Sequence, residues 1–314
     1  MLCTGSGLAK EIMNNHRLEE AVPKIGFGTY LISNDQAETT VSSALKVGYR
    51  HIDTAEAYQN EQGIGAALAS AKRSYGLNRK DLFITTKLWP GNPRWGMPTK
   101  NYAATIKSLD QSLKKLGISY VDLYLIHAPF GSQHRLDQWR ACCDLKKSGK
   151  TRFIGVANFN QTHIGEIEDA GLPLPDANQI ELHPWCQKGE LVSFLQHRKI
   201  TQIAYSSLIP LANWREKTGQ ASAKTEAMRN DGASLDSPFK SLAGKYRVSE
   251  AQLLLKWGLQ KGFAVLPKTT DENRMRENFS LSHFNIDTVD MEVLATLDRG
   301  GGVAWESGDP CDTP

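Results

Sequence analysis

Eight short runs rich in β-branched and aromatic residues recur along the chain: KIGFGTY (24–30), YRHIDTA (49–55), LFITTKLW (82–89), VDLYLIH (121–127), RFIGVAN (152–158), ANQIELH (177–183), TQIAYSS (201–207) and FAVLPKT (263–269). Segments of helical composition separate them, among them AETTVSSALKVG, NYAATIKSLDQSLKKLG and SEAQLLLKWGLQKG. Alternating strand and helix require a parallel sheet with helical crossovers, and eight such units are the number that closes a barrel. The expected fold is therefore α/β, a single (β/α)8 TIM barrel. A length of 314 residues suits one such domain, and no internal repeat or linker marks a second. Residues 1–13 read as a flexible lead-in and 14–314 as the barrel, with a short N-terminal hairpin across its floor before Lys24 and extra loops at its C-terminal face. The longest unpatterned segment, 209–238, is expected to be a loop that is either functional or disordered.

Composition narrows the class of function. Hydrophobic residues make up 40% of the chain and charged residues 23%, ordinary globular values that allow a large core. No apolar run approaches the roughly 18 to 20 residues of a spanning helix, and MLCTGSGLAKEIMNN lacks a signal-peptide pattern. A net charge of +3 without a block of like charges gives neither nucleic acid nor membrane a footing as partner. The five cysteines, with Cys142 and Cys143 adjacent and no CxxC pair, outline neither a zinc site nor a disulfide plan. A reducing, cytoplasmic setting and a monomer acting on a small molecule are the expectations.

Residues able to do chemistry collect at the C-terminal ends of the runs: Asp53, Lys87, His127, Asn158, Gln179, Tyr205 and Lys268. In a (β/α)8 barrel these ends open onto one face, where active sites are built. Each residue alone has a plainer reading, as a helix cap, a solvated lysine or a core histidine, but the shared location outweighs it. Alternation puts Tyr49, His51 and Asp53 on one face of their strand, Lys87 with Thr85 and Phe83, and His127 with Leu125 and Leu123. An Asp53 carboxylate would offset part of the desolvation cost of a buried Lys87 ammonium. Tyr58 follows in a loop able to fold back over the barrel mouth. A phenol has an ordinary pKa of about 10, and an adjacent ammonium lowers it. Asp53 then holds Lys87, Lys87 tunes Tyr58, and Tyr58 acts as a general acid.

HIDTAEAYQNE, ITTKLW, DLYLIHAP, FIGVANF, NQIELHPW, AYSSL and LPKTTDENRMREN, in that order from about Gly26 to Asn278, resemble the signature set of the aldo-keto reductase superfamily. The resemblance implies a barrel that binds NADPH in extended form and reduces aldehydes or ketones by hydride transfer, without a metal. It implies Tyr58 as proton donor, Lys87 and Asp53 as its partners, and His127 as the residue that orients the substrate carbonyl. Asn158 and Gln179 would hold the nicotinamide carboxamide, Tyr205 would stack on its ring, and Ser206 and Leu208 would lie along the pyrophosphate. Gly28 and Thr29 would bring backbone close to the cofactor. Two cations, a hydroxyl and a helix N-terminus in LPKTTDENRMREN suit a 2′-phosphate. The family gives that role to Lys268, Thr269 and Arg274, with Glu277 and Asn278 at the adenine. Tyr30, Trp89, Trp185 and Trp305, with His127, are expected to wall a broad aldehyde pocket rather than a steroid site.

Two positions depart from the family pattern. Ala157 stands where a serine usually precedes the asparagine, and Ala128 where many members carry tryptophan. QGIGAAL (62–68) lacks both the third glycine and the preceding strand of a dinucleotide loop, and reads as helix packing. His51 reads as a barrel-interior residue and His183 as structural. A metal-dependent barrel hydrolase would draw on His51, Asp53, His127, His183 and a modified Lys87, yet it has no use for Tyr58 or the Lys268 cluster. The alternative on the same fold is a non-catalytic NADPH-binding module that senses redox state, against which the intact Asp53, Tyr58, Lys87 and His127 group argues.

Overall fold

The computed structural model describes residues 17–211, 213, 223–234 and 237–314; the expected lead-in, 1–13, lies outside them. All eight runs form strands: β1 (Phe27–Gly28), β2 (His51–Asp53), β3 (Phe83–Leu88), β4 (Val121–Ile126), β5 (Thr151–Ala157), β6 (Ala177–Glu181), β7 (Thr201–Tyr205) and β8 (Ala264–Val265). They pair in chain order, every neighbour parallel. The ring closes where Ile25 bridges Val265, with Val265 N–H donating to Lys24 O at 2.8 Å and Gly26 N–H to Val265 O at 2.9 Å.

Strand alternation sorts the side chains into two apolar clusters. Phe83, Leu123, Leu125, Phe153, Ala177, Ile203, Ala264 and Leu266 fill the barrel interior. Ile84, Leu88, Tyr124, Ile126, Ile154, Val156 and Ile180 face outward against the helices. Thr85 and Lys87 take the interior side of β3 above Phe83, because each lies two residues beyond the last. Capping residues begin the helices where the strands need to turn back. Asn101 accepts from Ala104 N–H at 3.0 Å at the start of Tyr102–Leu116, and Ser249 with Gln252 makes a capping box for Glu250–Gln260.

Two expectations change. The floor carries no hairpin among its described residues: Leu18–Ala21 is a helical turn that puts Leu18 and Val22 into the interior cluster. Leu18 and Val22 lie four apart, the spacing of one helix face, and each stabilises the plug by roughly 1.5 to 3 kcal/mol through burial. Within 209–238, the helix Ala223–Ala233 replaces part of the expected loop, while 212, 214–222, 235 and 236 lie outside the described residues. No helix of the described residues is long and apolar enough to cross a membrane.

Candidate active site

The C-terminal ends of the strands open into a cleft of about 1250 Å³. Asp53 ends β2 and Lys87 lies one residue before the end of β3, both on the interior face. Lys87 Nζ donates to Asp53 Oδ1 at 2.5 Å and to Thr54 O at 2.8 Å, and stands 3.4 Å from Tyr58 Oη. Tyr58 reaches this point because a short 3-10 turn, Glu56–Tyr58, folds the loop back over the mouth. An ion pair between Lys100 and Glu56 ties that turn to the next loop. His127, just past β4, meets the Tyr58 ring edge-on, with centroids 5.5 Å apart.

The charges in this group follow from burial. Lys87 is wholly buried and Asp53 nearly so; burial pulls the Lys87 ammonium below its ordinary range, and Asp53 acts against that pull. Burial pushes the Tyr58 phenol well above its ordinary value, with Asp53 and then Tyr30 adding to the rise. The expected lowering by Lys87 is therefore not what the structure gives, because burial of the phenol is the largest influence and the Asp53 carboxylate adds to it. Tyr58 rests as a protonated phenol. Burial, and next the Lys87 charge, hold His127 well below the usual imidazole range, so it is neutral.

The other predicted polar residues converge on the same cleft. Gln179 Nε2 donates to Asp53 Oδ2 at 2.8 Å, leaving the amide oxygen to the cleft. Asn158 Nδ2 donates to His127 O at 3.0 Å, and Asn158 Oδ1 accepts from Tyr205 Oη at 2.8 Å. Asn158 and Ser206 both line the cleft with positive φ, 63° and 55°, a conformation that non-glycine residues keep only where the surroundings enforce it. Gly28, Thr29 and Leu208 line it as well. A side chain on Gly28 would come 3.1 Å from Leu266 O, so the bare backbone keeps that wall low.

Asp271 caps the helix Glu272–Phe279 by accepting from Arg274 N–H at 2.9 Å. The cap aims the first turn at the cleft, where Lys268, Thr269, Arg274, Glu277 and Asn278 all line the wall. Ser207 Oγ, in the same cleft, and His127 Nδ1 are buried and without a hydrogen-bond partner, so unmet polar groups point to a polar occupant.

One side of the cleft is aromatic. Trp89 lies edge-on to His127 at 5.7 Å and stacks on Trp305 at 6.4 Å, and Tyr30 packs on Tyr58 at 5.1 Å. Trp305 arrives on the C-terminal segment and donates through Nε1 to Tyr205 Oη at 3.0 Å. Buried Glu181 fixes that segment by accepting from Val303 N–H and Ala304 N–H. Trp185 does not join them: it is buried against Phe239, with Arg299 over its ring, because the His183–Cys186 turn directs it away from the cleft. The sequence reading missed Trp95, which lines the cleft and stacks on Trp89 at 5.8 Å. Its only signal was a tryptophan flanked by prolines and glycines, PGNPRWGMP. Ala128 is buried.

Of the residues of the hydrolase reading, Asp53, Lys87 and His127 meet at the cleft, whereas His51 and His183 are engaged elsewhere. His51 bonds Thr85 Oγ1 on the interior side of β2, and His183 bonds Glu181; among the described residues no group of three or more His, Cys, Asp or Glu could hold a metal ion.

Comparison with known proteins agrees with this geometry. The profile of the Aldo/keto reductase family matches residues 24–299. An uncharacterized oxidoreductase of Schizosaccharomyces pombe is 34% identical over 93% of this chain and 94% of its own. The methylglyoxal reductase DkgA of Escherichia coli is 35% identical over 89% and 90%. Among solved structures, a Bombyx mori aldo-keto reductase in complex with NADP superposes with a TM-score of 0.78 at 32% identity, covering 93% of this chain and 94% of that one. A match of this length, with eight strands in the same barrel order, makes the chain an oxidoreductase that belongs to the aldo/keto reductase family.

Proposed function

We propose that the chain reduces aldehydes and ketones to alcohols with NADPH, with Tyr58 as proton donor. The observation that carries this reading is the Lys87 ammonium, held between Asp53 Oδ1 and Tyr58 Oη at 2.5 and 3.4 Å. When bound, NADPH supplies the hydride that reaches the carbonyl carbon. Tyr58 gives its hydroxyl proton to the carbonyl oxygen, and the phenolate left behind faces Lys87, whose charge favours it. Neutral His127 keeps one ring N–H with which to orient that oxygen.

The residues present suit the cofactor. Ligand sites commonly span about 300 to 1,000 Å³, so a cleft of about 1250 Å³ has room for a dinucleotide and a small carbonyl compound together. Gln179 keeps its amide oxygen for a carboxamide, and Tyr205 keeps its ring face for a planar ring. Lys268, Thr269 and Arg274 supply the charge and hydroxyl that a 2′-phosphate requires, which favours NADPH over NADH. The NADP complex of the silkworm protein and the methylglyoxal reductases among the relatives support the reading. This reading takes the protein as a cytoplasmic monomer, a setting that the free thiols of Cys142, Cys143, Cys186 and Cys311 suit.

The test is loss of NADPH absorbance with benzaldehyde, run with and without a chelator. Turnover that ignores the chelator is expected. Tight NADPH binding with no turnover across a broad aldehyde and ketone panel would instead make the protein a redox-sensing module.

A further inference from the structure

Trp95 is 44% exposed, yet the loop that carries it is built to hold it still. Lys100 N–H donates to Pro90 O at 2.9 Å and closes the loop at its base. Buried Gln138 reaches both ends, donating through Nε2 to Lys100 O at 2.8 Å and Pro90 O at 3.3 Å. Inside the loop Asn92 pairs with Met97, and Asn92 Oδ1 accepts from Arg94 N–H at 3.0 Å to cap the turn Pro93–Trp95. Gly91 holds φ 85°, and a Cβ there would fall 2.1 Å from Pro98 O. Two contacts then set the indole: it stacks on Trp89 at 5.8 Å with planes 15° apart, and meets the Phe130 edge at 5.6 Å.

The ring contacts also order the wall by distance from the reacting centre. Trp89 and Trp305 each touch His127, at 5.7 and 6.0 Å. Trp95 stands one ring farther out, reached through Trp89, and lines the cleft while remaining partly exposed. By that order a carbonyl compound the size of methylglyoxal would meet the inner rings, and a fused second ring would lengthen the group outward toward Trp95.

We propose that Trp95 is a specificity-determining residue, an outer stacking platform that selects aldehydes bearing an extended planar aromatic group over short aliphatic ones. The proposal rests on the reductase reading. Stacking between aromatic groups contributes about 0.5 to 1.5 kcal/mol beyond area burial, which sets the size of the effect.

The experiment compares wild type, Trp95→Ala and Trp95→Phe with 2-naphthaldehyde and methylglyoxal. Calorimetry of 2-naphthalenemethanol binding in the presence of NADP is run in parallel. Trp95→Ala is expected to raise KM for 2-naphthaldehyde about 3- to 10-fold more than KM for methylglyoxal. The naphthyl alcohol should lose affinity by the same factor, and Trp95→Phe should recover most of it. Equal rises in KM for both aldehydes would mean that Trp95 only supports the loop, and no change for either would mean that it does not select; both overturn the proposal. If wild type binds the naphthyl alcohol but reduces neither aldehyde, the reductase reading fails, and the calorimetric comparison alone decides the role of Trp95.

Discussion

The Lys87 ammonium and the Asp53 carboxylate lie 2.5 Å apart with almost no solvent contact. Each charge depends on the other there, because its partner offsets most of its desolvation, with Thr54 O helping Lys87 and Gln179 helping Asp53. The pair therefore serves stability as well as chemistry. Asp53→Asn leaves the ammonium uncompensated and is expected to destabilise the fold by about 3 to 5 kcal/mol, read as a fall in the urea midpoint. A midpoint equal to wild type would mean that Thr54 O and solvent suffice to hold Lys87.

Tyr58→Phe removes the proton source but keeps the ring that packs on Tyr30 and His127. Reductase activity is expected to fall by about 10²- to 10⁴-fold, with NADPH affinity within a factor of two or so of wild type by fluorescence titration. Equal losses in both would place Tyr58 in the cofactor site rather than at the carbonyl.

Lys268→Ala takes a cation from the start of the helix Glu272–Phe279. If a 2′-phosphate sits there, NADPH affinity should drop by about 10- to 100-fold, the scale of a lost charge-assisted hydrogen bond, while NADH affinity changes little. Parallel weakening of the two nucleotides would remove the 2′-phosphate from this position.

Acid should weaken the fold before it reaches the carboxylate range. Burial lowers His51 to about 4, burial and then Arg135 lower His163 to about 4, and burial and then Lys87 hold His127 well below 6.5. In the unfolded chain all three bind protons near pH 6.5; in the native chain His51 and His163 do so only near pH 4, and His127 also well below 6.5. The unfolded state therefore binds more protons across this window, and stability falls as the pH drops from about 6.5 to about 4. Each histidine contributes on the order of 1.4 kcal/mol per pH unit. Urea midpoints that stay level between about pH 7 and pH 4.5 would refute this.

Gly302 offers a test of how tightly the C-terminal segment is seated. A Cβ there would fall 2.6 Å from Asp309 Oδ2 and 2.8 Å from Glu181 Oε2, and Glu181 is buried and cannot retreat. Gly302→Ala should displace Trp305 and raise KM for aromatic aldehydes several-fold, with kcat nearly kept. An unchanged KM would show that the segment absorbs the methyl group without moving the indole.

Much of this architecture was legible because a parallel strand buried on both faces must be apolar along its length. β3 through β7 stand out for that reason. β1 and β8 shrink to two residues each. The approach of Gly26 and Gly28 to the far side of the ring depends on the barrel closing, which local pattern does not encode. The floor was misread although RLEEAV shows helical spacing, since Leu18 and Val22 are too few to announce a helix by periodicity. Asp53, Lys87 and His127 followed from alternation alone. The direction of the Tyr58 shift did not, because it depends first on how deeply the folded loop buries the phenol, which local pattern does not encode. Trp185 was expected in the pocket and Trp95 was missed for a related reason: which indole lines the cleft is decided by loop geometry, through Gly91 for Trp95 and the His183–Cys186 turn for Trp185.

The hydrogen bonds from Trp305 to Tyr205, from Tyr205 to Asn158, and from Asn158 to the His127 carbonyl run unbroken across the barrel mouth. Grafting the end of one relative onto the body of another, a natural way to re-engineer substrate choice, would cut this relay unless the graft brings its own N–H donor to position 305. The hybrid would then differ from its parents in nucleotide handling as well as in the aldehydes it accepts. A substitution in the last fifteen or so residues that removes the Trp305 N–H would therefore be felt at the end of β5, on the opposite side of the mouth.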